Sequence, residues 1–354
     1  MQQRQGKRSW RIVRRIGLGL LLLLLVLAGA GASWNALAIR HYRSTSPPPG
    51  KLYEVDSHSM HLYCTGHGAP TIVLESGLGE DFSIWAKVQP ALSRTTRVCS
   101  YDRAGFGWSE PQPEPRDSNH IAEQLHALLQ QAGITAPVVL MGHSAAGWHI
   151  RAYATRYPHD IAGLVFVDAS TPGQYRRLPP AARALDQHSA SEFFLLKSLM
   201  ALGIVRLTGQ CTDVPPGFDA YADWLKADAC IPAQIDAYRR ESSATEQSAA
   251  ETLGTGPYGD LPVLIFSRDP QQPRPANFPP AISADLFRQT NLVWDALQEE
   301  LKQLSTHSRR IIAKGSSHYI HLDRPDLLNR EVSTFILQIR THTLSSENGS
   351  TKIE

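Results

Sequence analysis

Ser144 stands in the run Val138-Val139-Leu140-Met141-Gly142-His143-Ser144-Ala145-Ala146-Gly147, four apolar residues and then a hydroxyl bracketed by small side chains. A chain that turns sharply from a buried strand into a helix needs small neighbours at the turn, and such a turn lifts the central side chain clear of the sheet. The pattern is a nucleophile elbow, G-x-S-x-G, with one departure: Ala146 stands where the second glycine would be, and Gly147 follows. Serine is a weak nucleophile until a neutral imidazole within hydrogen-bond reach takes its proton. Among 14 histidines, His318 lies in a Gly-Ser-Ser-His loop directly after the last expected strand, and His321, three residues on, is its rival. The chemistry such a pair performs is acyl transfer, and it calls for an acid to orient the imidazole. Asp269 in Phe-Ser-Arg-Asp-Pro and Asp168 in Val-Asp-Ala-Ser each follow a strand-like run.

The elements that must position these residues alternate from about residue 53. Strand-like runs fall at His61–Cys64, Thr71–Glu75, Thr96–Tyr101, Val138–Met141, Ile161–Val167, Pro262–Phe266 and Arg309–Ala313. Between them Ile121, Leu125, Leu128, Leu129 and Ala132 recur at helical spacing after a cap at Ser118, and Ala145 to Tyr157 reads as a second helix. Further helices are expected around Leu292 to Leu304 and from Pro325 to Arg340. Strands alternating with helices predict a mostly parallel sheet covered on both faces. The alternation breaks after Asp168: residues 171–256 hold helical stretches such as Ser191 to Leu202 and Phe218 to Leu225 but no convincing buried strand.

Five segments taken in order, ESGLGED at 75–81, YDRAGFGWS at 101–109, GHSAAG at 142–147, LVFVDAS at 164–170 and GSSHYIHLDRPD at 315–326, resemble the α/β-hydrolase family over residues 53 to 340. The resemblance implies an α/β fold with an eight-stranded, mostly parallel sheet formed by residues 53–170 and 257–340, and a helical cap at 171–256. It implies a Ser-acid-His chain order, with Ser144 as nucleophile and His318 as base. Asp269, after the seventh strand, is the preferred acid, although no glycine precedes it as the family's usual pattern has; Asp168, at the end of the sixth strand, is the alternative used by some relatives. The resemblance further places oxyanion donors at the backbone N–H groups of Ala145 and Leu78, with Ser76-Gly77 where the family often has His-Gly. It also sets Cys64 beside Cys99 on neighbouring strands, leaving Cys211 with Cys230 inside the insertion; four buried thiols are the alternative. Phe193, Phe194, Leu195, Leu196, Leu199, Met200 and Leu202 would offer an apolar lining for an acyl substrate.

The N-terminus is a separate matter. Residues 1–15 carry six Lys/Arg and no acid, and the rest of the chain has 29 basic against 33 acidic residues, so no basic stripe suggests nucleic acid. Residues 16–39 contain no charge and are about the length of a membrane-crossing helix. An anchor is preferred; a cleaved signal peptide, with small residues at Ala28 to Ala32 as the cleavage site, is the alternative. In either case the basic head predicts a cytoplasmic N-terminus and a body outside, or secreted if the segment is cleaved. Residues 40–52 read as a linker and 341–354 as a C-terminal tail. Cysteine spacing fits no zinc pattern, and no cofactor is expected. The expected activity is that of a membrane-anchored serine hydrolase acting on a carboxylic ester or related acyl compound with an apolar portion. The same triad would also serve an aminopeptidase, with Glu241, Glu246 or Glu251 holding the amine, or a cofactor-free haloperoxidase. A non-catalytic binding module of this fold is the reading from another class.

Overall fold

The computed structural model describes all residues except 1, 114, 136, 184–188, 276–277, 279–281 and 344–349. Short β-branched and apolar runs become β1 (Lys51–Val55), β2 (His58–Thr65), β3 (Ile72–Glu75), β4 (Val98–Tyr101), β5 (Val138–His143), β6 (Ile161–Val167), β7 (Val263–Arg268), β8 (Ser308–Ala313) and β9 (Thr351–Ile353). They form one sheet in the order β1-β2-β4-β3-β5-β6-β7-β8-β9. β2 runs antiparallel to β1 and β4, and the remaining pairings are parallel. The sheet therefore has nine strands where eight were expected. β9 lies in the stretch assigned to a tail and pairs with β8 from Arg310 opposite Thr351, and three residues are too few to show a period.

β5 is buried along its whole length because helices cover both faces. Strand alternation sends Val138 and Leu140 to one core, with Leu125, Leu128, Ile150 and Tyr153. Val139 and Met141 point into the other, with Leu327, Leu328, Val332, Phe335 and Ile336 of the helix Pro325–Thr341. Full burial of each such side chain contributes about 1.5–3 kcal/mol relative to exposure, so β5 is a rigid base for whatever follows it. The helix Ser118–Gln131 is capped by Asp117, one residue before the expected cap, whose carboxylate accepts from the His120 N–H at 3.1 Å.

Both disulfides are present, Cys64–Cys99 across the β2–β4 pair and Cys211–Cys230 within the insertion. The insertion between β6 and β7 is helical. Its longer members are Ala190–Ala201, opened by a Ser189/Glu192 capping box, and Pro232–Ser243, followed by Thr245–Glu251. One buried ion network ties it to the sheet: Glu241 accepts from Arg103 Nε at 2.9 Å and from Arg116 at 2.7 Å, and Arg103 also reaches Glu75 at 3.0 Å.

The N-terminal helix runs from Gln2 to Thr45, six residues into the segment read as a linker, and from Trp10 it is long and apolar enough to cross a membrane. Its C-terminal part is docked on the insertion. The Asn35 amide donates to the Met200 carbonyl at 2.9 Å and its oxygen accepts from Arg206 at 2.8 Å, while Arg43 donates to Asp228 at 3.1 Å.

Because removing one partner of a buried ion network leaves the others uncompensated, Glu241→Ala is expected to lower stability by about 3 kcal/mol. Thermal unfolding of the detergent-solubilised protein checks this; an unchanged midpoint would mean that the network does not hold the insertion to the sheet.

Candidate active site

β5 ends at His143, and the next residue, Ser144, has a positive φ of 53°. Side chains larger than hydrogen rarely sit there, and the neighbours show what makes it tolerable. A Cβ on Gly147 would stand 2.4 Å from the Ser170 carbonyl oxygen, so the helix could not approach the β6 end with any other residue. A Cβ on Gly142 would meet the Ala146 methyl at 3.0 Å. The motif's departure is thereby explained: the Ala146 methyl occupies the space that Gly142 leaves, and Gly147 makes the close approach.

The turn aims Ser144 at His318. Ser144 Oγ donates to His318 Nε2 at 2.9 Å, and His318 Nδ1 donates to Asp168 Oδ2 at 2.6 Å. Asp168 is fully buried at the end of β6, with a φ of 44°; its other oxygen accepts from the Arg268 N–H at 3.0 Å and from the Trp294 indole at 2.9 Å. Burial alone would raise its pKa, but the Arg268 charge and the His318 hydrogen bond hold it down to about 2. Asp168 is therefore a fixed anion with both oxygens engaged.

Asp269, the acid preferred from the sequence, is not at the imidazole. It follows directly on β7, and its carboxylate turns back to accept from the Gln271 and Gly315 N–H groups, both at 2.9 Å. It holds the loop that carries His318, while β6, one strand nearer to Ser144, presents Asp168. His321, the rival imidazole, is fully buried against Trp85 and His143, with ring centroids 5.0 and 4.4 Å away, and neither ring nitrogen has a partner among the described residues.

Residues to which the sequence assigned no role complete the site. His143 Nδ1 donates to Glu80 at 3.0 Å and its Nε2 donates to the His318 carbonyl at 3.1 Å. Both partners only accept, so both ring nitrogens carry hydrogen and His143 is an imidazolium. Burial opposes that charge, but Glu80 outweighs it and the His143 pKa is raised. Glu80 in turn is held at about 2 against burial, chiefly by His143. Its carboxylate also takes the Gly77 N–H at 2.6 Å, and Arg103 donates to the carbonyls of Ser76 at 2.6 Å and Gly77 at 2.7 Å. The loop after β3 is thus gripped from two sides. Leu78 in that loop packs with Ala145 and Trp148, and neither the Leu78 nor the Ala145 N–H has a backbone acceptor among the described residues. Arg103, Glu75 and Glu80 all lie in segments that carry the family resemblance, which is the signal that could have found them.

His318 is pushed the other way from His143. Burial lowers its pKa, the His143 and Arg268 charges add to this, and Asp168 only partly opposes them. The neutral, proton-accepting form therefore persists below its ordinary value of 6.5.

Comparison with known proteins agrees with this architecture. A family model described as alpha/beta hydrolase fold matches residues 70–199. The chain has the α/β-hydrolase fold. Among curated relatives, an AB hydrolase superfamily protein of Gibberella zeae is 24% identical over 298 residues, 77% of this chain and 87% of that protein. The uncharacterised protein YbdG of Bacillus subtilis is 30% identical over 156 residues, 42% of this chain and 46% of that protein. Three of the curated relatives share only 20%, 46% and 37% of their own length with this chain. The enol-lactonase of Burkholderia xenovorans LB400 superposes with a TM-score of 0.54 at 21% identity, over 81% of this chain and 100% of that one.

The rings of His143 and His318 lie 4.7 Å apart between centroids, yet they should titrate on opposite sides of 6.5, His143 above and His318 below. NMR titration of ring-labelled protein checks this; both resonances moving on the same side would contradict the charge assignment.

Proposed function

We propose that this protein is a serine hydrolase that cleaves a carboxylic ester or related acyl compound through an acyl-enzyme. The observation that carries the reading is the continuous chain Ser144 Oγ–His318–Asp168, with distances of 2.9 and 2.6 Å. In the reaction His318 Nε2 takes the serine proton as Oγ attacks the acyl carbonyl, and Asp168 stabilises the imidazolium so formed. The Leu78 and Ala145 N–H groups receive the developing oxyanion; because Arg103 and Glu80 fix the Leu78 loop in advance, little reorganisation is needed at the moment of reaction. His318 then gives its proton to the leaving group, and a water molecule repeats the sequence on the acyl-enzyme. The hydrolase-superfamily relative is consistent with this class of activity.

The helical insertion at 171–256 serves as a cap over this site: Tyr238 lies where a Cβ on Gly79 would meet its ring at 2.9 Å. We read residues 16–39 as a membrane anchor, with the basic head in the cytoplasm and the body outside, an arrangement that suits two disulfides. The aminopeptidase alternative loses support because Glu241 is committed to Arg103 and Arg116, and Glu251 accepts from the Asn119 N–H at 3.1 Å. The binding-module alternative would be expected to lack part of the serine–histidine–acid chain.

Labelling by a fluorophosphonate probe tests the proposal. Wild type should label, Ser144→Ala should not, Asp168→Asn should label slower by on the order of 10³–10⁴-fold, and Asp269→Asn should stay near wild type. Since His318 must be neutral, the rate should hold as pH falls to 6.5 and drop only below it. Folded wild type that fails to label would end the serine-hydrolase reading.

A further inference from the structure

The position of the N-terminal helix fixes the height of the insertion relative to a bilayer. The last cation of the basic head is Arg15. A helix rises about 1.5 Å per residue, so about 20 residues cross a hydrocarbon core of about 30 Å. Counted from Ile16, that length ends at Asn35, which is 2% exposed because it is docked on the insertion. The docking is close. A Cβ on Gly31 would stand 2.3 Å from the Leu202 carbonyl oxygen, and one on Gly203 would stand 2.8 Å from the Gly31 carbonyl oxygen. Trp34 is part-exposed beside this contact and Trp10 is exposed near the other end, the places where indole rings favour the two membrane interfaces.

The corner where the helix Ala190–Ala201 turns into Ile204–Leu207 therefore lies at the outer boundary of the span. Its outward side chains are large and apolar: Phe194 and Leu207 are each 74% exposed, and Leu195 and Ile204 also face outward. The helix Ala190–Ala201 buries only Phe193. An exposed patch of large apolar side chains of this kind marks a contact surface. Lys197, the cation of this helix, pairs with Asp236 of the helix Pro232–Ser243 at 2.6 Å, with both side chains partly exposed.

We infer that this corner of the insertion is a second membrane contact, seated in the outer interface of the bilayer beside the anchor helix, and that the acyl substrate enters from the lipid. The inference rests on the anchor reading given above. The occupant is a bilayer because the patch is continuous with the docked helix, whose bare portion before Gly31 makes up most of the membrane span. Two aromatic side chains link this ridge to the site. Phe193, next to Phe194 but turned inward, meets Tyr238 edge-on at 5.6 Å, and Tyr238 covers Gly79 in the loop beside Ser144. An apolar chain leaving the bilayer at Phe194 would thus arrive at the wall of the acyl site.

The test uses full-length protein in phosphatidylcholine/phosphatidylglycerol vesicles, with a single environment-sensitive fluorophore attached through Phe194→Cys, Leu207→Cys, Leu22→Cys or Leu292→Cys. Leu22 reports the span, and Leu292 is an exposed reference on the helix Ala284–Glu300, outside the corner at 190–207. Labels at 194, 207 and 22 should be quenched by nitroxide-bearing lipids and shielded from aqueous iodide, and the label at 292 should show the reverse. Quenching at 22 with 194 and 207 behaving like 292 would overturn the second contact and leave the anchor standing. A label at 22 open to iodide would overturn the anchor, and this inference with it.

Discussion

Two neighbouring strands end in residues whose backbone takes the left-handed region, Ser144 after β5 and Asp168 after β6, and the arrangement of the site depends on that shared constraint. Each such residue costs on the order of 1–3 kcal/mol and persists only where its surroundings hold it. Here the parallel ladder continues through both turns: the Ser144 N–H donates to the Val167 carbonyl, the Asp168 N–H to that of Phe266, and the Ser170 N–H returns to Ser144. Buried on both faces, β5 and β6 cannot shift to relieve the strain. The hydroxyl and the carboxylate therefore leave the same edge of the sheet at a separation that one imidazole bridges. The small residues at 142 and 147 follow from this geometry rather than from helix or strand propensity.

The second layer of organisation is electrostatic. Burying isolated charges is costly, and the structure buries them in sets whose hydrogen bonds are mutually satisfied. Arg103 with Glu75 and Glu241 forms one set, and His143 with Glu80 forms another. Glu75 is kept ionised against burial by its bonds with His149 and Arg103. Both sets meet on the loop Ser76–Glu80, through carbonyls on one side and the Gly77 N–H on the other. The cation His143 also lowers the pKa of its neighbour His318, so one ion pair positions a loop and biases a base.

The fold was legible because its signals are local: apolar runs bounded by turn residues, and small residues around Ser144. The imidazole was legible because only one histidine loop follows the last long strand. The acid was not, because Asp168 and Asp269 each follow a strand end, and the choice turns on which strand lies nearer to β5, a property of strand order. β9 escaped notice because Thr-Lys-Ile carries no pattern and forms only by pairing with β8. Glu241 read as a free acid because its partners, Arg103 and Arg116, are more than 120 residues away in sequence. The segments were visible in these cases; the long-range pairing that gives them their roles was not.

The insertion joins two constraints that the sequence presents as separate. On one side Glu241 locks it to Arg103, which holds the Ser76 and Gly77 carbonyls. On the other, Met200 and Arg206 hold Asn35, and Asp228 holds Arg43 of the N-terminal helix. An insertion held at both ends couples the two, so on the proposed reading the height of the N-terminal helix in a bilayer would set where the mouth of the site lies. Loosening either clamp would free the insertion to move relative to Ser144 while leaving the Ser144–His318–Asp168 chain, which is built entirely on the sheet and its loops, in place. On the proposed reading, access and chemistry would be carried by different parts of the chain: the insertion with its helix would govern what reaches the site, and the strand ends what can happen there.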